Sequence, residues 1–390
     1  MTSEQQNNLI FFRISSTDVR GYLSTIENTA DNGLKLHVRS PQTIASLSEF
    51  QIPSPAISPP LYDYTQQLIL FAAYGKAHFF TNSNVKNVDV WRIGPHLSLV
   101  SVERVQPLQS FASSPPGLVV HGGLIGISVP RQIAGSFPPV DVPMIAQRVN
   151  DPSPEGSGWS VVQYNTNTKD TSGTESRLFQ SNDPEIKYVY HMKRDRWAGA
   201  SGTQVFIEQM RASEYQKLAT SKSSLWTSYD VNCGWKVSEM PAHAFTRSQY
   251  MENTPTKRRL YLFQLIGQGA AIEISYISLR PDGSVSSPNT AVRATQQSQI
   301  KLPPETVDNY SKQLQAVDLA DGRIMLMWSK LIQVNGLYCY TPAAVVTSVD
   351  KDGALIGPWR DVSLEFETPI ADNEVNVRWG AVIAPKEFAS

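Results

Sequence analysis

Short runs of alternating apolar and polar residues, separated by glycine and proline turns, recur along the whole chain. The clearest example is Lys257–Asn289. Its segments Arg259–Leu265 and Ala271–Leu279 have the period of two that predicts β-strands, and a Gly-Gln-Gly sequence separates them. Pro281-Asp-Gly283 then predicts a turn, because proline presets φ and glycine accepts a positive φ. With a third short polar strand expected after this turn, the stretch predicts an antiparallel meander.

Imperfect copies of this meander account for the rest of the chain. Apolar strands equivalent to Arg259–Leu265 begin near positions 9, 68, 118, 186, 259 and 323. A repeat of about 60 residues, each a four-stranded meander, is the signature of β-propeller blades with long loops. The sequence therefore predicts an all-β fold, a six-bladed β-propeller of four-stranded antiparallel blades, with a two-sheet sandwich as the alternative. We expect one domain, 1–390, with blades at roughly 1–50, 51–105, 106–175, 176–240, 241–300 and 301–370.

The two ends of the chain predict how the ring of blades closes. The first copy starts directly with an apolar strand, Leu9–Ile14, while the alternating segment Glu374–Ile383 is left over at the end. Residues 371–390 are therefore expected to complete the first blade, so that pairing of N- and C-terminal strands leaves no open sheet edge. Helices are expected only as loop insertions, at Glu208–Ser221 and Pro303–Gln315, and the Pro- and Gly-rich segment Arg131–Gly173 is expected to be a loop.

Charge and motifs exclude several classes of partner. The chain has 34 basic and 35 acidic residues, which gives no basic surface for nucleic acid or for a membrane. No apolar run approaches the about 18 residues of a membrane span. Cys233 and Cys339 form no zinc motif, and no nucleotide motif is present. We expect no nucleic acid, no membrane, no metal and no cofactor, and a cytoplasmic protein, or a secreted one if a signal peptide has been removed.

Candidate site residues follow from the strand that enters each copy, because the entering strands of a propeller line its central channel. In Ala242–Tyr250, alternation places His243, Phe245, Arg247 and Gln249 on one face. Polar side chains on an interior strand need partners. They indicate either a ligand pocket or a water-filled channel lined by satisfied polar groups.

Two other entering strands and one loop add candidates for substrate binding. Arg177, Phe179 and Asn182 lie on or just after the entering strand of the fourth copy. In the last strand, Arg378 and Trp379 point to opposite sides, so only one faces the channel. The list is completed by two residues of a charged segment that follows a strand, His191 and Trp197. That segment could hold an anionic or sugar-like ligand with the tryptophan as a stacking platform, or it is a solvated turn with a local Arg–Asp pair.

The divergence of the copies bears on function. A multivalent lectin repeats its binding residues in every blade, whereas these copies share only core pattern and turns, which favours one asymmetric site. The turn PDGSVSSP after the strand LYLF nevertheless resembles blades of fungal and bacterial propeller lectins and of propeller modules in bacterial toxins. In size and general sequence character the chain is also similar to cofactor-independent propeller enzymes of fungal natural-product pathways, including hetero-Diels–Alderases. No residue is carried over from either group.

We therefore expect a cofactor-independent enzyme that acts on a small, natural-product-like substrate in the central funnel, such as a hetero-Diels–Alderase. His243 would be the general acid or base, Arg247 and Arg378 would polarise a substrate oxygen, and Phe245 and Trp379 would form apolar walls. The alternatives are a multivalent carbohydrate-binding lectin and a protein-interaction scaffold. The expected partner is a small-molecule substrate or a carbohydrate.

Overall fold

The computed structural model describes the strands, several turns and one short helix. The described residues are 6–7, 19–20, 23–28, 34–39, 46–52, 58, 61–80, 83–94, 98–110, 116–121, 124–133, 140–148, 159–163, 175–181, 183, 185–195, 204–217, 227–231, 241–247, 257–266, 271–286, 298–301, 314–318, 324–334, 337–350, 354–361, 370–371 and 384–385. Among them no helix has the length and apolar character needed to span a membrane.

The described residues are almost all β-structure and divide into two compact units. The first unit contains three antiparallel meanders. Sheet 1 consists of β1 (Gln6–Asn7), β3 (Leu23–Asn28), β4 (Leu34–Arg39) and β5 (Ser46–Ile52); sheet 5 of β18 (Ala242–Arg247), β19 (Arg258–Ile266), β20 (Ala271–Leu279) and β21 (Ser298–Lys301); and sheet 6 of β22 (Gln315–Asp318), β23 (Ile324–Val334), β24 (Leu337–Val349), β25 (Leu355–Asp361) and β26 (Ile370–Ala371), which pairs with β24.

The second unit contains three more four-stranded meanders in chain order. Sheet 2 consists of β6 (Leu61–Asp63), β7 (Leu68–Phe80), β8 (Ser83–Ile93) and β9 (Leu99–Ser110); sheet 3 of β10 (Gly117–His121), β11 (Leu124–Ile133), β12 (Val140–Arg148) and β13 (Trp159–Gln163); and sheet 4 of β14 (Glu175–Phe179), β15 (Tyr188–Asp195), β16 (Gln204–Arg211) and β17 (Thr227–Val231). Each sheet is a unit of the kind that the sequence repeat predicts. The ring that would join all six remains a prediction.

Each unit has its own apolar core, because alternate residues of the strands face a neighbouring sheet. In the second unit one face of sheet 2, with Leu70 and Val90, packs on sheet 3 through Ile127. In the first unit sheet 5 packs on sheet 6 through a cluster that includes Phe263 and Trp328. The first strands also lie side by side within a unit: β10 contacts β6 and β14, and β18 contacts β22.

A single serine extends the inner edge of sheet 2 beyond the short strand β6. The backbone N–H of Ser58 donates to the carbonyl of Ala72 at 2.7 Å, and the Ser58 hydroxyl accepts the Ala72 N–H at 2.8 Å. Ser58 is fully buried. One residue therefore satisfies both backbone groups of Ala72.

The end regions of the chain pair with each other in the first unit. β2 (Val19–Arg20) runs antiparallel to β27 (Ala384–Pro385) as a separate two-stranded sheet. The predicted closing strand Glu374–Ile383 and the predicted first strand Leu9–Ile14 lie outside the described residues. Sheet 1 begins with β1, which pairs with β3, and the completion of the first copy by residues 371–390 remains a prediction.

The turn that anchored the sequence pattern is confirmed. The Gly283 N–H donates to the carbonyl of Arg280 at 2.9 Å, and Gly283 has the positive φ expected, 91°. Asp282 Oδ1 accepts both the backbone N–H and the hydroxyl of Ser284. The third strand is not directly after this turn, however. An isolated bridge between Leu279 and Val285 is found there, and the outer strand β21 comes later.

β7 continues past Gly75, with a register shift between Tyr74 and Ala77 that accommodates an extra residue as a β-bulge.

Two other sequence predictions are corrected. The segment expected to be a loop at Arg131–Gly173 contains β12 and β13. The helix expected from Glu208 is a strand up to Arg211, followed by a 3-10 helix, Ala212–Lys217.

Candidate functional site

The best-described candidate site is on β18, the first strand of sheet 5. His243 and Phe245 lie on the same face, with ring centroids 6.4 Å apart in an edge-to-face arrangement. Phe245 is buried and His243 is partly exposed. The phenyl ring therefore packs edge-to-face against a partly exposed histidine whose Nδ1 is buried. β22 lies beside β18.

The buried polar side chains on this face of sheet 5 include Ser275 and Gln264. In the strand register His243 is opposite Leu262, and Leu262 is opposite Ser275. Gln264 lies two residues along β19 and therefore on the same face. Ser275 Oγ and Gln264 Oε1 are buried without a hydrogen-bond partner in the described structure. Such atoms cost free energy unless a water or a ligand satisfies them.

The opposite face of sheet 5 has a polar contact with sheet 6. The Tyr261 hydroxyl accepts hydrogen bonds from Arg259 Nη1 at 3.2 Å and from the backbone N–H of Leu355 at 3.2 Å. The Arg259 guanidinium also lies over the ring of Tyr276, 4.3 Å from its centroid. Burial raises the pKa of Tyr261 above its usual 10.0, and the charge of Arg259 opposes that shift. This cluster joins two sheets and has a structural role.

Three of the predicted residues lie on sheet 4, on two different faces: Arg177 and Phe179 share one face, and His191, opposite Leu178 in the register, is on the other. Phe179 stacks on Tyr190, with centroids 5.3 Å apart, and Arg177, two residues earlier on β14, is partly exposed. His191 is fully buried on β15, and its Nδ1 lies 3.2 Å from Oε2 of Glu208 on β16. The pair gives His191 a structural partner. Its predicted contact with a ligand remains a prediction.

Sequence reasoning missed Glu208 as a partner, because the residue was assigned to a helix. The signal that identifies it is register: in the β15–β16 hairpin, His191 is directly opposite Glu208. A strand prediction that continued through Arg211 would have brought the two residues onto one face.

A second partly exposed histidine ends the first strand of sheet 3. The N–H of Val120 donates to Gln180 Oε1 at 2.8 Å, which joins this end of β10 to the segment after β14. Burial and then the positive charge of Lys187 lower the pKa of His121 below 6.5. The imidazole of His121 is therefore neutral at neutral pH.

The remaining predicted residues contribute no described side chain. Arg247 ends β18, where it pairs with Arg258, but its side chain is outside the described structure. The same holds for all atoms of Gln249, Asn182, Trp197, Arg378 and Trp379. Within the described ranges, no group of three or more His, Cys, Asp or Glu side chains could hold a metal ion.

No protein-family model and no curated protein matches the chain. Solved structures do. The α-L-arabinanase of Penicillium chrysogenum, in complex with arabinobiose, is 10% identical over 84% of this chain and 94% of that chain, with a TM-score of 0.48. The GH93 α-L-arabinofuranosidase of Fusarium graminearum, also with arabinobiose, is 11% identical over 87% and 97%, with a TM-score of 0.47. A Dyadobacter fermentans protein of unknown function is 12% identical over 89% and 99%, with a TM-score of 0.45.

At these identities and TM-scores, the likenesses establish neither a shared activity nor a shared binding site. The expectation of a hetero-Diels–Alderase gains no support from them.

Proposed function

We propose that the protein binds a carbohydrate or a similar hydroxyl-rich small molecule at the first strand of sheet 5. The proposal includes a six-bladed ring in which the first strands of the sheets line one channel. The observation that carries it is the His243–Phe245 pair: a partly exposed histidine packs edge-to-face against a buried phenyl ring, with the ring centroids 6.4 Å apart.

Sugar recognition needs this combination of groups. Ligand sites are mostly apolar, with a few polar groups that fix orientation. On sheet 5 the apolar part is Phe245 with Leu260 and Leu262, which are buried on the same face. Nδ1 of His243 is buried, so Nε2 is the ring nitrogen that would accept a hydrogen bond from a ligand hydroxyl or donate one to it, according to the tautomer. The oxygens of Ser275 and Gln264 lie behind it on that face and would accept hydrogen bonds from a bound molecule or from the waters that it orders.

A cofactor-independent enzyme is the second candidate. It is favoured by the identity of the exposed group, because histidine transfers protons near neutral pH better than other side chains do. In that case His243 is the general acid or base. The observed face supplies no pair of carboxylates of the kind that most glycosidases use, so a hydrolytic role would need residues outside the described part of sheet 5.

A glycan array followed by calorimetric titration tests the binding proposal. The panel contains neutral and acidic oligosaccharides, arabinobiose among them. His243→Ala should weaken binding at least about tenfold. His121→Ala removes another partly exposed histidine at the end of a first strand and should leave affinity unchanged. One ligand per chain is expected, whereas about six would indicate a multivalent lectin. Absence of binding across the panel, or equal affinity of His243→Ala and wild type, overturns the proposal.

Two further measurements test whether the protein is an enzyme and whether its sheets form a closed ring. Mass spectrometry of the panel after incubation with wild type and His243→Ala reports turnover; products formed only by wild type support the enzyme. Small-angle scattering tests the ring, since a single compact body of 390 residues has a radius of gyration of about 21 Å. A clearly larger radius contradicts closure.

A further inference from the structure

Two side chains on the His243 face of sheet 5 have polar atoms without a partner in the described structure. Ser275 and Gln264 are 0% and 6% exposed, and neither Ser275 Oγ nor Gln264 Oε1 has a hydrogen-bond partner there. In folded proteins the large majority of buried polar atoms are paired with the protein or with ordered water. Two unpaired groups on one face therefore indicate an occupant that is not part of the chain.

The two groups are close enough for one small substituent to contact both. Leu262 on β19 is directly opposite Ser275 on β20, and Gln264 follows two residues later on β19. Ser275 and Gln264 are therefore diagonal neighbours, about 7–8 Å apart, which is within reach of long side chains. Together they offer a hydroxyl that donates and accepts, and an amide oxygen that accepts.

Apolar side chains adjoin this pair on the same face. Leu262 is buried beside both polar groups, and Leu260 and Ile277, which are opposite each other in the register, are buried at the next positions. Ligand sites hold mostly apolar groups through a few polar contacts. A substituent suited to this place therefore has one donor, one acceptor and an apolar part.

We propose that the saccharide bound at this face carries an acetamido group, and that this group lies between Gln264 and Ser275. The inference rests on the proposed function, because it specifies the ligand of the same site. The N–H of the acetamido group donates to Gln264 Oε1, its carbonyl oxygen accepts the Ser275 hydroxyl, and its methyl group contacts Leu262 and Ile277. A sugar hydroxyl in its place has no methyl group and gains nothing from the apolar surface.

The position of His243 agrees with this arrangement. His243, Leu262 and Ser275 form one row across β18, β19 and β20. Because neighbouring strands are about 4.8 Å apart, His243 and Ser275 are separated by about 10 Å. A sugar ring with its acetamido substituent, and a hydrogen bond at each end, spans this distance. His243 Nε2 then contacts a ring hydroxyl while the acetamido group reaches the two buried side chains.

Calorimetric titration of the full chain with three matched disaccharides tests the inference. N,N′-diacetylchitobiose has acetamido groups, cellobiose has hydroxyls in their place, and chitobiose has amines. The acetylated disaccharide should bind at least about tenfold more tightly than cellobiose. Equal affinities, or binding of non-acetylated saccharides alone, overturn this inference and leave the proposed function standing, whereas a protein that binds no saccharide overturns both. Glu273 is opposite Gln264 in the register, and a carboxylate favours an amine, so tighter binding of chitobiose also overturns the acetamido assignment.

Gln264→Leu tests the part played by the amide. The variant should bind cellobiose like wild type, and its preference for N,N′-diacetylchitobiose should fall to about twofold or less. Ser275→Ala should behave in the same way. The matched control is Gln66→Leu, at an exposed glutamine after β6, which should keep the preference of wild type. A Gln264→Leu protein that also keeps it overturns the proposal.

Thermal denaturation without ligand gives a second readout. The melting temperatures of Gln264→Leu and Ser275→Ala should equal or exceed that of wild type, because an apolar side chain replaces a buried polar group that has no partner. Clearly lower melting temperatures for both variants would show that the two groups are bonded within the fold, which overturns the inference.

Discussion

His191 Nδ1 and Glu208 Oε2 lie 3.2 Å apart on directly opposed positions of neighbouring strands. Both side chains are buried. A slip of the hairpin by one residue would bring the imidazole opposite Ile207 or Gln209 instead. Because a buried polar group without its partner costs free energy, the pair fixes the register of β15 and β16 as well as stabilising it.

Glu208→Ala should therefore destabilise the protein by about 1 to 3 kcal/mol. Glu208→Gln should cost less, since an amide oxygen can still accept a hydrogen bond. Urea denaturation followed by circular dichroism measures both. Glu185→Ala, at an exposed position after β14, is the control and should change the free energy of unfolding little. Equal stability of Glu208→Ala and wild type would show that the pair is not the constraint described.

Gly117 lies where sheets 3 and 4 approach closely. A β-carbon there would overlap the backbone of Leu178 and the hydroxyl of Ser128, which itself accepts the Leu178 N–H at 2.8 Å. Gly117→Ala should cost about 1 to 3 kcal/mol. In Gly94→Ala the nearest atom is the Val100 methyl, at 2.9 Å, on an exposed side chain that can move. In thermal denaturation the melting temperature of Gly117→Ala should be well below that of Gly94→Ala. The reverse order would contradict the close contact described at Gly117.

Tyr261→Phe should lower stability by about 1 kcal/mol, since it leaves the Leu355 N–H without its acceptor. The pH dependence has a definite sign. The pKa of Tyr261 is raised by burial, so the folded state holds its proton when the unfolded chain has lost it. The contribution of Tyr261 to the free energy of unfolding is complete below pH 10 and is lost as the pH rises through the raised pKa. In Tyr261→Phe the free energy of unfolding should decrease less between pH 8 and pH 11, and denaturation curves over that range measure the difference.

Lys187→Gln should raise the pKa of His121 part of the way towards 6.5, because burial, the larger cause of the lowered value, stays in place. Histidine ring resonances followed by NMR measure this directly. For stability the sign is opposite to that of Tyr261: the contribution of His121 is intact above pH 6.5 and is lost as pH falls below it. An unchanged pKa in Lys187→Gln would show that the two charges are too far apart to interact.

Features with local causes were predictable from the sequence. The strands β19 and β20 follow from alternation alone, and the positive φ of Gly283 follows from the turn chemistry of Pro281 and Asp282. The shared face of His243 and Phe245 needs only the two-residue period of a strand. Each of these depends on neighbours within a few positions.

Features that depend on pairing were not predictable. β11 and β12 place Pro130 opposite Pro143. Pro143, one of the prolines that suggested a loop, is tolerated because it lies beyond the residues of β12 that pair with β13. The bulge after Tyr74 accommodates one residue more than β8 has over the same stretch. Glu208 becomes the partner of His191 only once the hairpin register is known. In each case the deciding contact comes from a different strand.

The bond pair between Ser58 and Ala72 gives the protein a built-in probe of local motion. The Ala72 N–H donates to a side-chain oxygen, that of Ser58. Its exchange with deuterium therefore requires only a rotamer change of Ser58, whereas the other amides of β7 exchange only when a neighbouring strand separates from it. If exchange at Ala72 is much faster than at Leu70, its rate measures how often the hydrogen bond from Ala72 to the Ser58 hydroxyl breaks while the sheet stays intact. In Ser58→Ala that amide would exchange faster still, with the rest of β7 unchanged.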